Sequence, residues 1–177
     1  MLRGFSSDKA DFRKAESEAL TLLNEFGYSE PPINPVDIAK WLGVKVWFVT
    51  FNGDYESVSG FYDVDETAIY VNKDEYPHRQ TFTVAHELGH HIMHKEWAKS
   101  SDYKMLFRET NIDATRTREK KKKPPQEQEA DAFAANLLVP RFMLNEYKGL
   151  LGEKELSKLF VVSSQVIGFR LNPRVAG

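Results

Sequence analysis

His86-Glu87-Leu88-Gly89-His90 is the stretch on which the reading of this chain turns. Its two histidines stand four residues apart, and on an α-helix positions i and i+4 share one face, a turn apart. Both imidazoles can then approach one metal ion from the same side. Glu87 lies about 100° further round the helix than His86. Its carboxylate would stand beside such an ion rather than on it, within reach of a proton on a neighbouring water. This is the H-E-x-x-H pattern, in which two histidines hold zinc and the glutamate serves as general base. A buried helix carrying histidines by chance would satisfy the same five residues, so the rest of the chain must supply the remaining chemistry.

The flanks predict a helix. Asp74 is the expected N-cap, and Pro77 suits a first turn. Phe82, His86, Gly89, His90, Met93 and Trp97 form one stripe, and Val84, Leu88 and Ile92 a second. A helix apolar on two sides is a buried one. Gly89 weakens a helix interior by about 1 kcal/mol relative to alanine. Its presence points to another backbone element packed close against it.

A catalytic zinc takes three protein ligands and keeps one position open. The chain has no cysteine, which removes disulfides, thiol catalysis and cysteine-type zinc sites together. The third ligand must therefore be His, Asp or Glu. His94 rises about 12 Å along the helix from His86, too far to share an ion whose bonds are about 2 Å. It reads instead as a core histidine or a support behind a ligand. A later helix runs from after Pro125 to Val139, where Pro140 stops it, with Ala130, Phe133, Ala134, Leu137 and Leu138 as its core face. Its early acids, Glu127, Glu129 and Asp131, suit the positive end of a helix. Glu127 and Asp131 also share a face. Glu127 is the expected third ligand, and Asp131 the acceptor for the free N–H of a ligating histidine. Glu129 points about 200° away from Glu127 and stays as the alternative ligand.

At 177 residues the chain is long enough for one cored domain with a small appendage. A net charge of -2 points to neither nucleic acid nor membrane. The N-terminal stretch lacks the apolar core of a secretory signal, and no apolar run approaches the length of a membrane span. The expected location is the cytoplasm. Helices are expected over Asp8–Phe26 and from Asn34, with Pro35 in its first turn, to Gly43. Strands are expected at 44–49, 58–62 and 67–71. The expected fold class is α+β: a small, mostly antiparallel sheet packed on the His-bearing helix and a supporting Glu-bearing helix, an arrangement of the gluzincin kind.

Residues 1–148 are expected to form the metal-binding domain, with a mobile basic loop over 98–125. That loop carries Arg116, Arg118 and Lys120 to Lys123. No aromatic residue is interleaved with the basic run for base stacking, so a solvated loop is the simpler expectation. Residues 149–177 predict a helical hairpin meeting at Val162-Ser163, with Ser163 or Ser164 as N-cap. Its outline is that of a helix-turn-helix. The second helix offers Gln165 and Arg170, but also Val166, Ile167, Gly168 and Phe169, a face suited to packing on the same domain.

His86 to His90, preceded by Arg79-Gln80-Thr81-Phe82-Thr83-Val84-Ala85, resembles the first signature of the ImmA/IrrE family of metallo-endopeptidases. Glu127 to Pro140 resembles that family's second signature, in which an acid, Ala-Asn or Ala-Asp, Phe-Ala, Leu-Leu and Pro follow in order. The likeness covers roughly residues 10 to 145 and two ordered signatures. It implies a zinc peptidase with one catalytic ion held by His86, His90 and Glu127, and Glu87 as general base. It further implies a regulatory protease of a phage, mobile element or stress-response system. Its expected partner is a helix-turn-helix repressor encoded nearby, which it cleaves or inactivates. Two alternatives belong to other classes: a DNA-binding regulator using the C-terminal hairpin or Lys-rich loop with structural zinc, and a protein that sequesters its repressor without cutting it.

Overall fold

The first helix, α1 (Phe12–Phe26), starts where Asp11 accepts the Lys14 amide and stops where Gly27 turns left-handed, at φ 66°. It begins at Phe12 rather than at the expected Asp8, because Asp11 caps it. The structure is a computed structural model and describes residues 9–104 and 123–172. α2 (Pro35–Trp41) has the expected Asn34 cap and Pro35 in its first turn. Strands β1 (Lys45–Val49), β2 (Gly60–Asp63) and β3 (Ala68–Asn72) follow, with a short 3-10 turn at Gly53–Tyr55.

The fold is α+β, and its sheet has the order β1-β3-β2. β3 is central and the most buried, in keeping with its run Ala68-Ile69-Tyr70-Val71. It pairs antiparallel with β2, Gly60 opposite Val71, and parallel with β1, Lys45 opposite Ala68. The sheet is thus mixed, with one ladder of each kind. The chain leaves β1, passes through β2 and only then enters β3, a detour long enough to bring β3 back parallel to β1.

The helix that carries His86 and His90, α3 (Pro77–Met93), packs on this sheet. Its N-cap is Tyr76 rather than Asp74. The Asp74 amide is taken by Asn72 Oδ1, so Asp74 belongs to the turn after β3. Nor does the helix run on to Trp97. It stops at His94, whose backbone leaves helical geometry at φ -130°, ψ 29°, and a short α4 (Lys95–Ala98) resumes beyond it. Residues 101–104 form a further helical turn.

The supporting helix, α5 (Pro125–Leu138), packs along both α1 and α3. Ala130, Phe133, Ala134, Leu137 and Leu138 are fully buried, as their spacing required. An added Cβ on Gly89 would meet Phe133 Cδ1 at 3.0 Å and Ala130 Cα at 3.3 Å. The glycine therefore marks the close crossing of α3 and α5. α6 (Arg141–Tyr147) follows Pro140; no sequence signal had set it apart.

The hairpin is α7 (Glu153–Phe160) and α8 (Ser164–Leu171), with Ser163 accepting the Val166 amide as N-cap. Leu156, Phe160, Val162 and Ile167 join the main apolar core. Arg170 donates to the Val139 carbonyl at 2.9 Å, tying α8 to the end of α5. The basic run expected to be a mobile loop lies, Lys123 apart, outside the described residues. Among the described residues no helix is long and apolar enough to cross a membrane.

Candidate metal centre

α3 presents His86 and His90 on one face, one turn apart, and α5 crosses that face with Glu127 in its first turn. The two Nε2 atoms stand 3.1 Å from each other. Glu127 spans them, with Oε1 3.0 Å from His90 Nε2 and Oε2 3.4 Å from His86 Nε2. One donor atom from each of the three lies within 4.8 Å of the others. A tetrahedral ion with bonds of about 2.0 Å sets its donors about 3.3 Å apart, so these three side chains could hold an ion between them. The donor chemistry also fits: two imidazole nitrogens and a carboxylate are a borderline-soft set suited to zinc.

The electrostatics describe three lone-pair groups competing for positive charge. Burial would lower His86, but the Asp131 and Glu127 carboxylates beside it outweigh that and hold it up at about 10. Burial brings His90 down to about 4, so its ring is neutral. Burial would raise Glu127, yet hydrogen bonds from both imidazoles keep it well below the usual carboxylate range.

Glu87 lies on the same helix, 5% exposed, and burial pushes it up to about 7. The Tyr103 hydroxyl donates to Glu87 Oε2 at 2.9 Å and accepts the Tyr62 amide at 2.8 Å. Tyr103 also meets the His90 ring edge-on, at 5.4 Å between centroids. No spacing rule pointed to Tyr103, which falls in a polar stretch; only the turn at 101–104 carries it to the site.

Asp131 meets His86 as its position one turn beyond Glu127 suggested. Its Oδ1 lies 2.9 Å from His86 Nδ1, and Lys123 Nζ donates to its Oδ2 at 2.6 Å. Glu129 does not join the three donors. Its Oε2 lies 2.7 Å from His94 Nε2, and its Oε1 accepts the Asp11 amide, also at 2.7 Å. His94, buried at the end of α3, puts Nδ1 3.1 Å from His90 Nδ1.

Known proteins share this arrangement of helices and strands. A solved Mycobacterium tuberculosis transcriptional regulator superposes with a TM-score of 0.60 at 18% identity, over 93% of this chain and 49% of that one. At that identity the likeness is one of fold. "Uncharacterized immunity region protein 2" of Bacillus phage phi105 is 27% identical over 117 residues, 65% of this chain. The chain spans 64% of that relative's length. A family model described as Peptidase M78, IrrE N-terminal-like domain, matches residues 39–172, which takes in the sheet, α3, α5 and the C-terminal hairpin. With two ordered signatures, a matching fold and a group of His86, His90 and Glu127 able to hold a metal ion, the chain belongs to the IrrE N-terminal-like family of metal-dependent peptidases.

Proposed function

We propose that this protein is a zinc-dependent metallo-endopeptidase of the cytoplasm that cuts, and so inactivates, a helix-turn-helix repressor. The observation that carries the chemistry is the meeting of His86 Nε2, His90 Nε2 and the Glu127 carboxylate beside a buried Glu87. These three side chains would hold the ion. When bound, zinc supplies Lewis-acid activation of water and of the scissile carbonyl. Glu87 accepts the proton of the attacking water on its carboxylate and returns it to the leaving amine. Its burial favours that role, because a carboxylate brought up to about 7 is a stronger base than an exposed one. Tyr103 holds Glu87 from one side through Oε2. Asp131 fixes His86 with Nδ1 protonated and Nε2 free to ligate.

The proposed substrate class draws on the family and on the phage relative, whose name places it in an immunity region. The domain division proposed is one peptidase unit with the C-terminal hairpin packed on it, supported by the shared core and the Arg170 tie. That tie also draws Arg170 away from any DNA-reading face.

The test is co-expression with the helix-turn-helix repressor encoded beside the gene, followed by mass spectrometry of the repressor. Wild-type protein should yield two repressor fragments. Glu87→Gln should keep stoichiometric zinc and lower cleavage by at least about 100-fold, the range for a lost general base. Cleavage by Glu87→Gln at the wild-type rate would refute the role of Glu87. An intact but bound repressor with the wild-type protein would favour sequestration over proteolysis.

A further inference from the structure

His90 is supported differently from His86. Behind His86 stands a carboxylate in direct contact, Asp131 at 2.9 Å. Behind His90 stands another histidine. His90 Nδ1 is 3.1 Å from His94 Nδ1, His94 Nε2 is 2.7 Å from Glu129 Oε2, and Glu129 Oε1 accepts the Asp11 amide at 2.7 Å. His90 and His94 are both buried, and the Glu129 side chain is 13% exposed. The Trp97 ring lies 5.2 Å from that of His90 and 6.3 Å from that of His94, closing the row from the side.

The direction of the protons along this row follows from one fact. If His90 gives Nε2 to the metal, its proton sits on Nδ1. Nδ1–H can only donate, so His94 Nδ1 must be the bare nitrogen and accept. A neutral His94 then carries its proton on Nε2, which donates to Glu129 Oε2. Glu129 is the negative end of the row, and its second oxygen is held by the backbone at the start of α1. Every group is satisfied in only this one arrangement.

We propose that His94 and Glu129 form a buried relay that locks His90 in the Nδ1–H tautomer and so raises the metal affinity of the site, with Asp11 holding Glu129 in place. His94 and Glu129 are positioning residues: they act on the ion through His90. The inference rests on the metal-binding assignment of His86, His90 and Glu127. It gives Glu129 a role other than ligand and ties the centre to α1, which lies outside the matched region 39–172. His94 stands one turn beyond His90, on the same face, at the point where α3 ends.

Zinc affinity of the full chain, measured by competition with a chromophoric chelator, tests this alongside the thermal midpoint of the metal-free protein. His94→Leu keeps the volume and removes both hydrogen bonds. Zinc binding should weaken about 10–100-fold, the range for support behind a metal-ligating histidine. His94→Gln can accept at its carbonyl and donate at its amide, and should recover most of that loss. Glu129→Gln removes the charge and should weaken zinc by about tenfold. A second measurement needs no variant: nitrogen-15 spectra of the zinc-loaded wild-type protein should show His90 Nδ1 protonated and His94 Nδ1 bare. His94 Nδ1 carrying a proton overturns the relay, as does undiminished zinc affinity in both His94→Leu and Glu129→Gln. If the wild-type chain binds no zinc, the metal assignment fails and the relay with it; if wild-type and variants bind equally, the relay alone fails.

Discussion

Tyr103 holds two buried groups at once, the Glu87 carboxylate and the Tyr62 amide. Removing its hydroxyl with Tyr103→Phe takes one hydrogen bond from each and leaves the Tyr62 backbone as a partner of Glu87. Leaving a buried polar group without its partner costs about 1–3 kcal/mol, and urea denaturation should show a loss of that size. Zinc content should stay unchanged, because no proposed metal donor is touched, while turnover should fall by about 10–100-fold as Glu87, the proposed base, loses its fixed position. Asp131→Asn should act the other way. It leaves Glu87 alone but weakens zinc by about 10–100-fold, read by chelator competition. The contrast between these residues also marks what the sequence could reveal. Asp131 was legible because it lies one turn from Glu127 on a helix of known period. Tyr103 lies 16 residues from Glu87 and reaches it only through the tertiary path of the turn at 101–104, for which no local pattern exists.

Two helices make the centre, and the distance between them is set by Gly89. A valine there would push its methyls into Phe133 and the Ala130 backbone, which already stand at contact distance from a bare Cβ. Gly89→Val should destabilise the fold by about 1–3 kcal/mol through overpacking. It should also weaken zinc, because moving α5 off α3 moves Glu127 off both imidazoles. Thermal melts with and without added zinc separate the two effects. The close crossing was visible in the sequence, since a glycine inside a strongly apolar helix has few other uses. The end of α3 was not. The apolar stripe continues through Met93 to Trp97, and periodicity alone carries the helix on. What stops it is the turn of the backbone at His94, which a side-chain pattern does not encode. The parallel β1–β3 ladder was hidden for a similar reason: each strand has the right composition, but pairing direction depends on the route between strands.

At the scale of the whole molecule, an ion held by α3 and α5 binds the folded chain and not the unfolded one. A zinc activity a hundredfold above the dissociation constant adds about 2.7 kcal/mol of stability. For a chain of this size each kcal/mol moves the midpoint by about 2–4 °C. Chelation should therefore lower the thermal midpoint by about 5–10 °C, and readdition of zinc should restore it. His90 and Glu127 lie on opposite sides of the segment that joins Lys104 to Lys123. Sever the polypeptide anywhere in that segment, and the coordination set survives complete but divided, two donors on one fragment and the third on the other. On the proposed metal assignment, the ion adds a fastening across that gap to the packing of α5 on α1 and α3, and reassembly of the two halves should rise with zinc concentration.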